Sequence, residues 1–80
     1  MFKVNKEATI EIAKQLRLRD IGGIIIIDYI DMHEEKNKNE IVKLLTTELK
    51  KDRTKSQILG FTRLNLLEMT RKNMCNNDDY

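Results

Sequence analysis

The sequence predicts a small α/β domain, bordering on α+β, with two helices covering a small mixed sheet in the order helix, strand, helix, strand, strand. Three observations carry that reading. The run Ile24-Ile25-Ile26-Ile27 is entirely β-branched and lacks period-two alternation, as in a strand covered on both faces. Apolar residues recur at helical spacing on either side of it, at Ala8, Ile12, Ala13 and Leu16 and again at Ile41, Val42, Leu44, Leu45 and Leu49. After Asp52-Arg53, two short apolar stretches, Gln57 to Thr62 and Leu66 to Thr70, are joined by a turn-like link, as in a hairpin.

The first helix is expected to be capped by Asn5, with Glu7 in its first turn where a negative charge suits the dipole. It should end near Arg19, where Asp20 and the Gly22-Gly23 pair allow a close turn into the isoleucine strand. That strand ends in Asp28. An isolated ionised carboxylate is too costly to bury, so Asp28 must lie where the strand leaves the core, the place where ligands and metals gather in open α/β sheets. The plainer alternative is that Asp28 only caps the following turn or helix.

The second helix is expected from near Glu34 to about Lys51. Its acidic start (Glu34, Glu35) and basic finish (Lys50, Lys51) suit the macrodipole, and Glu34 stands four residues before Lys38 in the favourable order. Leu66 to Thr70 can alternatively begin a helix, because Leu, Glu and Met favour one. A strand–helix–strand unit implies a right-handed crossover between parallel strands, with the last strand folding back antiparallel. Residues 1–73 then form a single subdomain and 74–80 a frayed tail. Three strands give the isoleucine run too little cover, so the piece is expected to pack against more protein.

Eighty residues make one domain at most, near the lower limit for independent stability. With 35% charged and 40% apolar residues the chain suits a soluble globular domain, neither disordered nor membrane-spanning. The net charge of +2 does not by itself argue for nucleic acid. The cations are nonetheless clustered at Lys14, Arg17 and Arg19, at four positions from Lys50 to Lys55, and at Arg63, Arg71 and Lys72, and such clusters can bind phosphate. One cysteine forbids an internal disulfide, and no signal peptide or long apolar span is present, so a reducing cytoplasm is the expected location. Cys75 has no second thiol and no histidine beside it for a zinc site, and His33 is equally alone. Tyr29 and Phe61 can stack on bases, but aromatics within strands are more commonly core.

Four stretches resemble the ribonuclease E/G family of endoribonucleases, in the deoxyribonuclease I-like part of their catalytic region. They are Glu7-Ala8 with Glu11 to Gly23, then Ile26-Ile27-Asp28-Tyr29-Ile30-Asp31-Met32, then Asp52-Arg53, then Leu67-Glu68-Met69-Thr70-Arg71-Lys72. The resemblance covers residues 4–73. It implies a magnesium-dependent enzyme, with manganese a possible substitute, that cleaves single-stranded RNA in bacterial RNA decay and ribosomal precursor processing, and whose parent forms dimers or tetramers. It implies that Asp28 is one of two carboxylates that hold the catalytic metal, its partner lying upstream of the matched region. Arg17 and Arg19 accompany the matched word and can neutralise phosphates. Lys55 follows Asp52-Arg53, where relatives carry basic side chains near the RNA 5′ end. Asp31, three positions beyond Asp28, is expected in a structural or helix-capping role at one remove from the ion.

Departures from the family pattern are equally plain. An oligonucleotide-binding barrel, a ribonuclease H-like part, the upstream metal aspartate and a Cys-Pro-x-Cys zinc link are all missing, and Cys75 is followed by Asn76. The chain therefore reads as a metal-carrying fragment of a larger ribonuclease, inactive alone and partnered by RNA and by the rest of the parent. The alternatives are a stand-alone RNA-binding module that uses the basic clusters, or a structural assembly piece.

Overall fold

The structure, a computed structural model, describes residues 2–72; the expected tail at 74–80, with Cys75, lies outside them. Helix α1 (Phe2–Leu18), strand β1 (Gly23–Asp28), helix α2 (Glu35–Leu49), strand β2 (Ser56–Phe61) and strand β3 (Leu66–Arg71) follow in the predicted order. Two layers result, the helices packed on each other and laid over one face of a three-stranded sheet.

The sheet order is β1-β3-β2, and both ladders are antiparallel. β1 and β2 do run in the same direction, as a strand–helix–strand unit requires, but they never touch. The last strand inserts between them, so the expected parallel pairing within a mixed sheet is replaced by two antiparallel pairings to β3. The reason lies in β3 itself, where Leu67, Met69 and Arg71 all point inward and are buried, the two apolar ones completely. The strand with the deepest residues takes the centre, where both of its edges are satisfied.

Coverage of β1 also differs from expectation. Ile25 and Ile27 face the helices, whereas Ile24 is 80% exposed and Ile26 49% exposed on the opposite, open face of the sheet. The missing alternation therefore does not reflect helices on both faces among the described residues. Leu59, on β2, is also exposed. β2 carries an irregularity between Ile58 and Gly60, where Gly60 adopts φ +118°, a conformation that L side chains rarely reach and that fits a bulge. The hairpin itself forms as predicted, closing through Thr62 to Asn65 with Asn65 left-handed, and the alternative helix at Leu66 does not form.

The start of the first helix shifts from the predicted position, while the second starts where expected. α1 begins by Phe2, which places Asn5 inside the helix on the buried stripe Asn5, Thr9, Ala13 and Leu16 rather than at its cap, and leaves Glu7 beyond the first turn. α2 begins at Glu35, with Glu34 at the cap position but making no side-chain cap bond. Lys38 pairs with Glu35 at 3.5 Å instead of the expected Glu34, and its ammonium also donates to Asn65 Oδ1 at 2.6 Å. Ile41, Leu45 and Leu49 bury the inner face of α2 as expected, with Val42 half-buried beside them. Tyr29 is buried and its ring lies 6.2 Å from that of Phe61, so both aromatics serve the core.

One-sided coverage of β1 gives a direct contrast. Ile27→Ala should cost about 2–5 kcal/mol in urea unfolding, the range for truncating a buried aliphatic side chain, while Ile24→Thr should stay within about 0.5 kcal/mol. Equal losses at both positions would mean that the open face is covered in this chain.

Candidate functional site

The antiparallel register sends the two ends of the sheet to opposite chemistries. At one end Asp28 closes β1 opposite Leu66. Its carboxylate is exposed, and among the described residues it makes no hydrogen bond and no ion pair, so it does not cap the turn that follows. Asp31 lies exposed in the next turn at φ +49°, a left-handed conformation that aspartate tolerates. It does not cap α2, whose cap position belongs to Glu34. Alternation along the strands puts Glu68 of β3 on the same open face as Asp28, diagonally across the β1–β3 pair. His33 lies 3.5 Å from Asn65 in the hairpin turn.

At the opposite end, five residues or about 17 Å along β1, lie Gly23 and the cations. Lys72 N–H donates to the Lys55 carbonyl at 2.9 Å, bringing those two lysines side by side. They line a cleft of about 610 Å³ together with Ile24, Gln57 and Thr70 of the open face. Ser56 lines the same cleft, and its Oγ is buried with no hydrogen-bond partner. Arg53 and Thr54 continue the cationic surface around Lys55 and Lys72. Of the two predicted arginines, Arg17 is half-buried and donates to the Glu48 carbonyl at 3.2 Å, binding α1 to the end of α2. Arg19 is exposed and donates to Gln15 at 3.1 Å. Arg17, Arg19 and Lys55 thus gather at the Gly23 end, apart from Asp28.

Beneath the cationic end, Arg71, counted in the sequence among the cations that can bind phosphate, is instead buried and paired. The Arg71 side chain, 2% exposed, donates from Nε and Nη2 to both carboxylate oxygens of Asp52, at 2.8 and 3.2 Å, and from Nη1 to Asp20 at 2.9 Å and to the Ile21 carbonyl at 3.0 Å. The charged residues of three separate matched words, Arg19-Asp20, Asp52-Arg53 and Arg71-Lys72, meet here. The available signal was period two: with Leu67 and Met69 facing in, Arg71 must face in as well and needs partners. The Arg71 hydrogen bonds hold the Asp52 carboxyl below the usual aspartate range, helped by the Thr54 N–H and nearby charge and opposed by burial.

Magnesium takes oxygen ligands, keeps several waters and is commonly held by one or two carboxylates plus phosphate. Asp28, open and unshared, fits one such position. Among the described residues no group of three or more His, Cys, Asp or Glu side chains that could hold a metal ion occurs.

The arrangement defines a class: a small two-layer α/β piece with an exposed carboxylate at one end of its open sheet face and a cleft flanked by lysines at the other. A family model, the ribonuclease E/G family, matches residues 1–74. Ribonuclease G of Salmonella typhimurium is 54% identical over 72 residues, covering 90% of this chain and 15% of that protein. Ribonuclease G of Haemophilus influenzae is 51% identical over the same shares, and ribonuclease E of Escherichia coli is 44% identical over 91% of this chain and 7% of its own length. The chain belongs to the ribonuclease E/G family. It spans about 15% of the length of the ribonuclease G relatives it matches. Among the described residues no helix is long and apolar enough to cross a membrane.

Removing Arg71 while Asp52 stays buried leaves an uncompensated charge, so Arg71→Leu should cost about 3–5 kcal/mol, whereas Asp20→Asn, at the half-exposed partner, should cost about 1 kcal/mol or less. The pH dependence follows from the sign of the Asp52 shift. A depressed carboxyl contributes stability that is complete above the unfolded value of about 3.9 and is lost as pH falls through the lower folded value. Urea midpoints measured from pH 6 downward should therefore fall below about pH 4, and Asp52→Asn should flatten that decline.

Proposed function

We propose that this chain is the metal-carrying piece of a magnesium-dependent endoribonuclease that cleaves single-stranded RNA, serving RNA decay and ribosomal RNA processing. The observation that carries the reading is the Asp28 carboxylate, exposed at the end of β1 and committed to no other described side chain, in a chain of the ribonuclease E/G family. Asp28 would hold the ion, and manganese can replace magnesium there. When bound, the ion supplies an activated water for attack on phosphorus and neutralises phosphate charge. Asp31, in the turn just beyond Asp28, would hold a bound water rather than the ion itself.

This chain's cations provide the RNA contact. Lys55 and Lys72 flank the cleft and Arg53 extends it, offering charged donors to phosphate oxygens. Arg17, tied to Glu48, contributes long-range charge more than contact. Cleft and carboxylate share the open face, so a single strand laid along the sheet passes from one to the other. One carboxylate holds magnesium weakly, so the 80-residue chain by itself should not cleave RNA. In the parent, a cytoplasmic homo-oligomer under this reading, the remaining protein completes the metal site and covers the Ile24, Ile26 and Leu59 face.

The cationic cleft also favours a second reading, an RNA-binding module that needs no metal. One experiment separates the two. In a manganese titration of the isotope-labelled chain followed by NMR, line broadening should centre on Asp28 to Asp31 and vanish in Asp28→Asn. Absence of any response at Asp28 contradicts the metal reading. Binding of a single-stranded oligonucleotide should weaken steeply with salt and fall with Lys55→Ala plus Lys72→Ala. RNA binding indifferent to Asp28→Asn in a chain without a manganese response would leave the module reading.

A further inference from the structure

Asn5 lies inside α1, 2% exposed, with its side-chain amide turned toward the segment that follows Asp28. Its Nδ2 donates to the Ile30 carbonyl at 2.6 Å, and its Oδ1 accepts the Ile30 N–H at 3.3 Å. Only one orientation of the amide satisfies both bonds. The last ladder pair of β1 is Asp28 with Leu66, so Ile30 lies beyond the sheet and its backbone has no neighbouring strand among the described residues. Asn5 takes the place of that strand by offering one donor and one acceptor at the spacing of a backbone.

A second bond from the same helix reinforces the first. Thr9 Oγ1 donates to the Asn5 carbonyl at 2.8 Å and lies 2.6 Å from the Tyr29 hydroxyl. The threonine proton is committed to Asn5, so Tyr29 donates to Thr9. Asp28 is therefore held on its N-terminal side by the β3 ladder and on its C-terminal side by two residues of α1, before the chain turns at Asp31 and buries Met32. The carboxylate has no side-chain partner of its own among the described residues, so what the fold fixes is the backbone from which it projects.

We infer that Asn5 is a positioning residue for Asp28: it fixes the backbone on the open side of the carboxylate and so sets how well that carboxylate meets a divalent cation. The inference rests on the reading of Asp28 as a metal ligand. Magnesium demands near-ideal octahedral geometry, and a ligand already in place binds with less ordering cost than one that must be ordered on binding. Outer groups that orient a ligand commonly carry a tenfold or greater share of metal affinity.

The test uses the 80-residue chain, with manganese alone as the probe and two readouts. Backbone order parameters of Asp28 to Asp31, measured without metal, should drop from about 0.85 to below about 0.6 in Asn5→Ala. Manganese affinity, read from relaxation enhancement at the same amides, should fall about tenfold. Asn5→Ser, whose hydroxyl is too short to bridge both Ile30 groups, should behave in the same way and serves if Asn5→Ala does not fold. Leu49→Val, a core change at the Arg71 end of the fold, sets the level that lost stability alone produces and should leave both readouts unchanged. Unchanged order and affinity in the Asn5 variants, or an equal loss in Leu49→Val, overturns the inference. Loosening in Asn5→Ala without any manganese response in the native chain retains the clamp but removes the metal reading, and with it the role proposed for Asn5.

Discussion

Everything at the cationic end depends on the buried guanidinium of Arg71. Two segments far apart in sequence give it partners, Asp20 with Ile21 from the α1–β1 turn and Asp52 from the α2–β2 connection, and both are thereby joined to the end of β3 that carries it. Arginine suits the position because its planar fork presents five donors in fixed directions, four of which are used here in bidentate and single bonds. A buried ion pair is not in itself a large net stabiliser, because desolvation offsets much of the attraction. Its effect here is specification: other packings of these segments would strand a charge in the core.

Two residues of α1 perform the corresponding task at the acidic end with neutral groups. Asn5 and Thr9 meet the backbone of Ile30 and the hydroxyl of Tyr29 where the sheet has run out. Burial raises the Tyr29 hydroxyl above its usual range, against the lowering effect of its bond to Thr9, which keeps it a neutral donor. The central strand thus links a charged clamp at one end to a neutral clamp at the other through the fully buried Leu67 and Met69. The open face between the two ends carries the exposed Ile24 and Ile26.

Element order was readable from the sequence because apolar spacing and turn residues are local signals. Sheet order was not. The strand–helix–strand rule places β1 and β2 in the same direction, which is observed, but says nothing about a later strand sliding between them. The alternation Leu67, Met69, Arg71 held that information, since a strand buried along one whole side gains most from pairing at both edges. The four isoleucines misled for a related reason: a continuous apolar run marks a strand whose two faces tolerate burial, while the cover itself can come from outside these 80 residues. Asn5 was misread because polar residues near a helix start suggest a cap. Continuing the inner stripe backwards from Leu16 and Ala13 through Thr9 reaches Asn5 and shows it facing inward. Asp28 was legible as a strand-end carboxylate because solvation alone dictates where such a group can lie. The meeting of Asp20, Asp52 and Arg71 was not, since it requires knowing which strand is central.

The central claim is that one buried cation makes three distant junctions a single unit with the sheet. Native-state hydrogen exchange tests it most directly, through the amides of Ile21, Asp52 and Lys72, which donate to Leu16, Leu49 and Lys55 beside the three junctions. The account predicts that all three exchange with the same free energy and denaturant dependence as the β3 amides, as one cooperative opening. Independent, low-energy opening of any one junction while β3 remains protected would contradict it.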